Sequence, residues 1–127
     1  MEKVKIFHNT RCRKSRESLD FLNSKNNLKV EVINYLENSP SKEELIKILE
    51  MLNIPAIDLV RKSELIYKEK VKKFGRPDEE TAIDWMVKFP KLIERPIVIY
   101  KNKAVIGRPL EKVEELFIWY FNYSINY

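Results

Sequence analysis

Cys12 is the only cysteine among 127 residues, and Arg11, Arg13, Lys14 and Arg16 crowd around it. A thiol reacts as its thiolate, which neighbouring positive charge and unpaired helix N–H groups both favour. Ser15 stands at C-x-x-S spacing one turn further on, where its hydroxyl is positioned to hydrogen-bond the sulfur. Serine forms no disulfide, so a resolving thiol has to come from another molecule. A buried apolar cysteine, the alternative, does not account for four cations on one turn. The whole chain carries 24 Lys and Arg against 19 Asp and Glu, a net charge of +5. Residues 1–16 hold six of the cations and one acid, so the other 111 residues carry 18 charges of each sign. The positive excess is therefore local to the cysteine.

The elements that must position this thiol follow from hydrophobic spacing. Residues 3–8 alternate charge with Val4 and Ile6 and predict a strand. Arg13 to about Ser24 has the helical spacing of Leu19, Phe21 and Leu22, with polar stop signals from Asn23 to Asn27. Cys12 then falls at the strand-to-helix junction. Residues 29–36 alternate again and complete a parallel βαβ unit. Asn38-Ser39-Pro40 makes a loop, and Ser41 followed by Glu44 makes a capping box for a helix that Asn53 ends. Pro55 opens a helix over about Ala56 to Arg61, and Gly75-Arg76-Pro77 marks a loop. Asp78 caps a third helix with Ala82, Ile83, Met86 and Phe89 inward, stopped by Pro90. A hairpin is expected from strands at 95–100 and 104–106 around Lys101-Asn102-Lys103, then a last helix from Glu111 to about Phe121.

The order β-α-β, helical insert, β-β-α is that of a thioredoxin-like α/β domain. One domain spanning 1–127 is expected, with the insert at about 41–92. The 44% hydrophobic and 34% charged fractions suit a soluble globular chain. One cysteine excludes an internal disulfide framework and multi-cysteine zinc sites, and no metal site is expected. The charge-broken N-terminus does not read as a signal peptide, and no apolar run reaches the length needed to span a bilayer, so a cytoplasmic location is expected with no membrane partner. Nucleic-acid binding is disfavoured, since the chain beyond residue 16 is neutral and lacks a basic stripe with interleaved aromatics. Residues 117–127 hold six of the 14 aromatics; part of this stretch is expected to extend the last helix, and a monomer is expected despite it.

The segment from His8 to Arg16, His-Asn-Thr-Arg-Cys-Arg-Lys-Ser-Arg, resembles the active-site loop of the glutaredoxin-coupled arsenate reductase (ArsC) family. The resemblance covers about residues 4–117. It takes in Asn34-Tyr35-Leu36-Glu37 with Pro40, Leu59-Val60-Arg61-Lys62, Pro90-Lys91-Leu92-Ile93 leading into Arg95-Pro96-Ile97-Val98, and Gly107-Arg108-Pro109. It implies that Cys12 attacks arsenate to give a thiol–arsenate adduct, and that Arg61, Arg95 and Arg108 bind the oxyanion through forked, charged donors. It also implies glutathione as co-substrate and glutaredoxin as the partner that reduces the glutathionylated intermediate, with no tightly bound cofactor. His8, Asn9, Ser15 and Arg16 are expected to support the loop or tune the thiolate rather than react. Pro96 is expected to follow a cis bond that aims Arg95 towards Cys12.

At Arg13-Lys14 the chain departs from the best-characterised members, where a small, Gly-bearing pair is common. That departure bears on the substrate rather than on the fold, and a family member reducing a different oxyanion or thiol substrate is one alternative. A regulatory binding module is the competing interpretation, because Spx-type regulators share the fold and dock on RNA polymerase. Those regulators often carry C-x-x-C, whereas this chain has C-x-x-S and keeps all three arginines.

Overall fold

The computed structural model describes residues 2–117. Its chain divides into two compact units, one made of the first 34 residues and those from Arg95 onward, the other of Tyr35–Glu94.

The first unit is built on a four-stranded sheet. Strand β1 (Glu2–His8) leads through helix α1 (Arg13–Asn23) to β2 (Leu28–Asn34), and β3 (Ile97–Tyr100) turns directly into β4 (Lys103–Ile106). The strand order is β2-β1-β3-β4, with β1 parallel to β2 and antiparallel to β3. Alternation explains the packing: Val4 and Ile6 of β1 and Val98 and Tyr100 of β3 point to one face, where α1 supplies Leu22. Helix α6, over residues 111–117, adds Val113, Leu116 and Phe117 to the same core. Phe117 stacks at a tilt on Tyr100, ring centres 4.7 Å apart.

The second unit is helical. Helix α2 (Lys42–Leu52) starts on the expected capping box, with the Glu44 N–H donating to Ser41 Oγ at 3.2 Å and the Ser41 N–H to Glu44 Oε1. It ends where Asn53 turns left-handed at φ 56°, a conformation asparagine tolerates well. Helix α3 (Ala56–Leu59) is a single turn whose first N–H donates to the Glu79 carboxylate at 2.9 Å. Helix α5 (Glu79–Lys88) packs against both α2 and α3 through Ala82, Ile83 and Met86. A 3₁₀ turn follows at Pro90–Leu92.

Several expectations shift. The second strand ends at Asn34, not at residue 36, and the helix after Pro55 stops at Leu59 because Val60 pairs with Ile93 in an antiparallel bridge. Trp85 takes the buried place expected for Phe89. Lys103 belongs to β4, leaving a two-residue turn in which Lys101 and Asn102 both have positive φ. An unanticipated helix, α4 (Leu65–Phe74), precedes Gly75. None of its residues is fully buried: Ile66, Tyr67 and Val71 are half-buried, and Leu65 and Phe74 are largely exposed, so its apolar stripe is weak. The expected extension of the last helix to Phe121 and the aromatic stretch beyond Phe117 lie outside the described residues. Among the described residues no helix is long and apolar enough to cross a membrane.

Candidate active site

Cys12 is the N-cap of α1: its backbone is extended (φ −94°, ψ 119°) and its carbonyl accepts the Arg16 N–H at 3.0 Å. This is where Ser, Thr, Asp and Asn usually sit, because a side-chain acceptor there meets the free N–H groups of the first turn. Cys12 offers a sulfur in that place. It makes no full capping hydrogen bond, yet the Ser15 N–H still favours the thiolate.

The loop ahead of it is held by Asn9. The Cys12 N–H donates to the Asn9 carbonyl at 3.0 Å, and the Arg11 N–H donates to Asn9 Oδ1 at 3.0 Å. The Asn9 N–H in turn donates to Ser15 Oγ at 3.0 Å. Ser15 Oγ lies 2.6 Å from His8 Nδ1, and all three residues are buried. The Ser15 hydroxyl therefore does not serve the sulfur as expected. It ties the end of β1 to the first turn of α1, and only its backbone N–H acts on Cys12. Burial lowers the His8 pKa, with the Arg16 charge adding to the effect and Asp20 opposing it. A neutral imidazole results near pH 7. Arg16 Nη1 donates to the Thr10 carbonyl at 2.9 Å, so it clamps the loop rather than meeting a carboxylate.

Two distant arginines come to the sulfur. Arg108 Nη2 donates to Cys12 Sγ at 3.2 Å, while Arg108 Nε donates to the Arg95 carbonyl at 2.7 Å. Arg95 is itself buried and also favours the thiolate. Burial pushes the Cys12 thiol up, but the Ser15 N–H, the Arg108 charge and hydrogen bond, and the Arg95 hydrogen bond together take it below its ordinary value. The cations adjacent in sequence take little part: Arg11, Arg13, Lys14 and Arg16 are all exposed. The positive excess of residues 1–16 is therefore not the main charge acting on the sulfur.

The hairpin delivers Arg95 and Arg108 together, since they flank its two strands. The Arg95-Pro96 bond is cis, as expected, and so is Arg108-Pro109, which sequence reasoning missed. The Gly107 N–H donates to the Pro96 carbonyl at 2.8 Å, closing the base of the hairpin beside both arginines. Glycine is required there by space: a Cβ on Gly107 would lie 2.7 Å from Ser18 Oγ and 2.8 Å from Pro96 Cγ. Gly107→Ala is expected to destabilise the protein by about 1–3 kcal/mol through overpacking, measured by denaturant unfolding. Adding Ser18→Ala should recover part of that loss, because it removes the nearest clash.

Arg61 belongs to the helical unit. Its N–H donates to the Leu92 carbonyl at 2.7 Å, and its Nε faces Ser63 Oγ at 3.3 Å and Glu64 Oε1 at 3.7 Å. Its Nη1 is buried and makes no hydrogen bond among the described residues.

A thioredoxin-like sheet thus sets one cysteine at a helix start, with arginines that flank the β3–β4 hairpin turned to its sulfur. Comparison with known proteins makes this specific. The ArsC family model matches residues 7–116, and the chain belongs to the ArsC family. A protein of Escherichia coli strain K12 named Uncharacterized protein YfgD is 45% identical over 118 residues, covering 91% of this chain and 97% of that protein. One named arsenate reductase from Neisseria meningitidis is 37% identical, covering 90% and 97%. Among solved structures, an arsenate reductase from Vibrio cholerae superposes with a TM-score of 0.83 at 39% identity, covering 90% of this chain and 97% of that one.

Proposed function

We propose that this chain is an arsenate reductase that takes its reducing thiols from glutathione and glutaredoxin. The observation that carries the proposal is the Arg108 fork, which meets the Cys12 sulfur at 3.2 Å while holding the Arg95 carbonyl at 2.7 Å. Nucleophile and anion-binding donors are thus one assembly. The Neisseria and Vibrio relatives named as arsenate reductases support arsenate as the anion.

In this mechanism arsenate binds Arg95 and Arg108 through paired hydrogen bonds. Arg61, which the family resemblance implies as a third donor, belongs to the helical unit, where its buried Nη1 makes no hydrogen bond among the described residues. The Cys12 thiolate attacks arsenic, forming an S–As bond, and one arsenate oxygen leaves as water after taking up protons. The developing charge on the remaining oxygens is met by guanidinium groups already in place. Glutathione sulfur then bonds to arsenic with loss of a second water. A glutaredoxin thiolate attacks that glutathione sulfur, so the As–S electron pair stays on arsenic and As(V) becomes As(III). Hydrolysis of the remaining bond frees arsenite and the Cys12 thiol. Two external thiols end as one disulfide, which supplies the two electrons.

The test is NADPH oxidation by the purified protein coupled through glutathione reductase, glutathione and glutaredoxin. Oxidation that depends on both arsenate and this chain is the expected result. No arsenate-dependent turnover with a competent glutaredoxin sinks the proposal.

A further inference from the structure

Three cations adjacent to Cys12 in sequence remain unused by this mechanism. Arg11, Arg13 and Lys14 are exposed, the Arg13 side chain at 84%, and Arg95, Arg108 and the Ser15 N–H already serve the thiolate. Among the described residues a single carboxylate, Glu17, pairs with two of them, 3.3 Å from Arg13 and 3.9 Å from Lys14. Exposed pairs of this kind are weak and easily exchanged. The turn thus keeps a positive surplus around a cysteine that is itself only partly buried. The same turn has no second thiol, and the Ser15 hydroxyl is committed to His8 and the Asn9 N–H. Any sulfur that reacts with Cys12 comes from outside, and these exposed cations flank Cys12 in the sequence on both sides. A charge carried within a Debye length of that sulfur, about 8 Å at physiological salt, is felt on approach.

We propose that Arg11, Arg13 and Lys14 select the external sulfur compound by charge, favouring small thiols and disulfides with carboxylates close to the sulfur over cationic ones. The selection rests on Cys12 being the reacting thiol and not on arsenate being the substrate. It also gives the Arg13-Lys14 departure a role: those residues address the co-substrate, leaving the oxyanion to the arginines of the hairpin.

The experiment follows thiol–disulfide exchange without arsenate. The Cys12 thiolate attacks one sulfur of the probe, the Cys12–S–S–probe bond forms, and the other half leaves as its thiolate. Rates with anionic glutathione disulfide and cationic cystamine are each divided by the rate of the same probe with 2-mercaptoethanol, which removes their intrinsic difference. Wild type is expected to favour glutathione disulfide about tenfold at low salt, and to lose the preference in 1 M NaCl. R13E/K14E should reverse the preference and R13Q/K14Q should reduce it. Alkylation by neutral iodoacetamide, measured where Cys12 is fully ionised, should change little in either variant. A wild-type preference that ignores salt overturns the proposal, as does a ratio unmoved by both variants, the result expected if the cations serve only an acidic protein partner. Charge selectivity without arsenate turnover would refute the arsenate reading alone; turnover without selectivity would refute this one alone.

Discussion

Cys12→Ser is expected to reduce arsenate-dependent NADPH oxidation by more than about 1,000-fold, to the background of the coupling enzymes. A hydroxyl in the same place stays protonated near neutral pH and forms no comparable bond to arsenic, so the adduct that glutathione must attack never accumulates. The loss should appear with the fold intact. Serine suits the N-cap position better than cysteine does, and its oxygen can take the N–H groups that the sulfur meets poorly. Thermal unfolding of the variant near pH 7 should therefore lie close to that of wild type. Turnover surviving the substitution would mean that the reacting group is elsewhere.

Arg108 carries the second large effect, because one guanidinium serves the sulfur, the Arg95 backbone and the proposed anion. Arg108→Gln should lower kcat/KM for arsenate by about 100-fold or more, the scale seen when a donor to a developing oxyanion is removed. Arg108→Lys should rescue little of it, since an ammonium group cannot hold two acceptors in the planar fork. A readout independent of arsenate accompanies this. Iodoacetamide alkylation of wild type should follow a midpoint below the ordinary thiol value of about 8.5, and Arg108→Gln should move that midpoint up. Wild-type alkylation with an ordinary midpoint, unmoved by the substitution, would refute the electrostatic role of Arg108.

The same shift has a sign for stability. The folded chain holds the thiolate more readily than the unfolded chain, so Cys12 contributes stability above the ordinary thiol pKa. That contribution is lost as pH falls through the lowered one. Wild type should gain stability relative to Cys12→Ser as pH rises through the thiol range.

Much of this site was legible because it depends on local rules. Alternation at Val4 and Ile6, helical spacing from Leu19 to Leu22 and the break between them place Cys12 at a helix start whatever the rest of the chain does. The Ser41/Glu44 box and the turn at Lys101-Asn102 are equally local, and the structure has both. Features that depend on where side chains turn in three dimensions were not legible. Spacing put the Ser15 hydroxyl within a turn of the sulfur, but only the folded loop shows that His8 Nδ1 and the Asn9 N–H claim it first. Proximity in sequence likewise favoured Arg13 and Lys14 as the charges that stabilise the thiolate. Burial decides instead for Arg108, 96 residues away, because a partly desolvated donor acts more strongly than exposed ones nearby. Helix α4 escaped because it only half-buries Ile66, Tyr67 and Val71 and leaves Leu65 and Phe74 exposed, which weakens its periodic trace.

A chain whose one thiol has no internal partner also keeps its redox history in its weight. A dithiol protein loses two hydrogens on oxidation and hardly changes mass. This chain cannot form an internal disulfide, so a disulfide at Cys12 adds a small thiol or another polypeptide, and its sulfenic, sulfinic and sulfonic acids add oxygen. Intact-protein mass spectrometry of material taken directly from cells would therefore give both how much of the protein is spent and which molecule spent it.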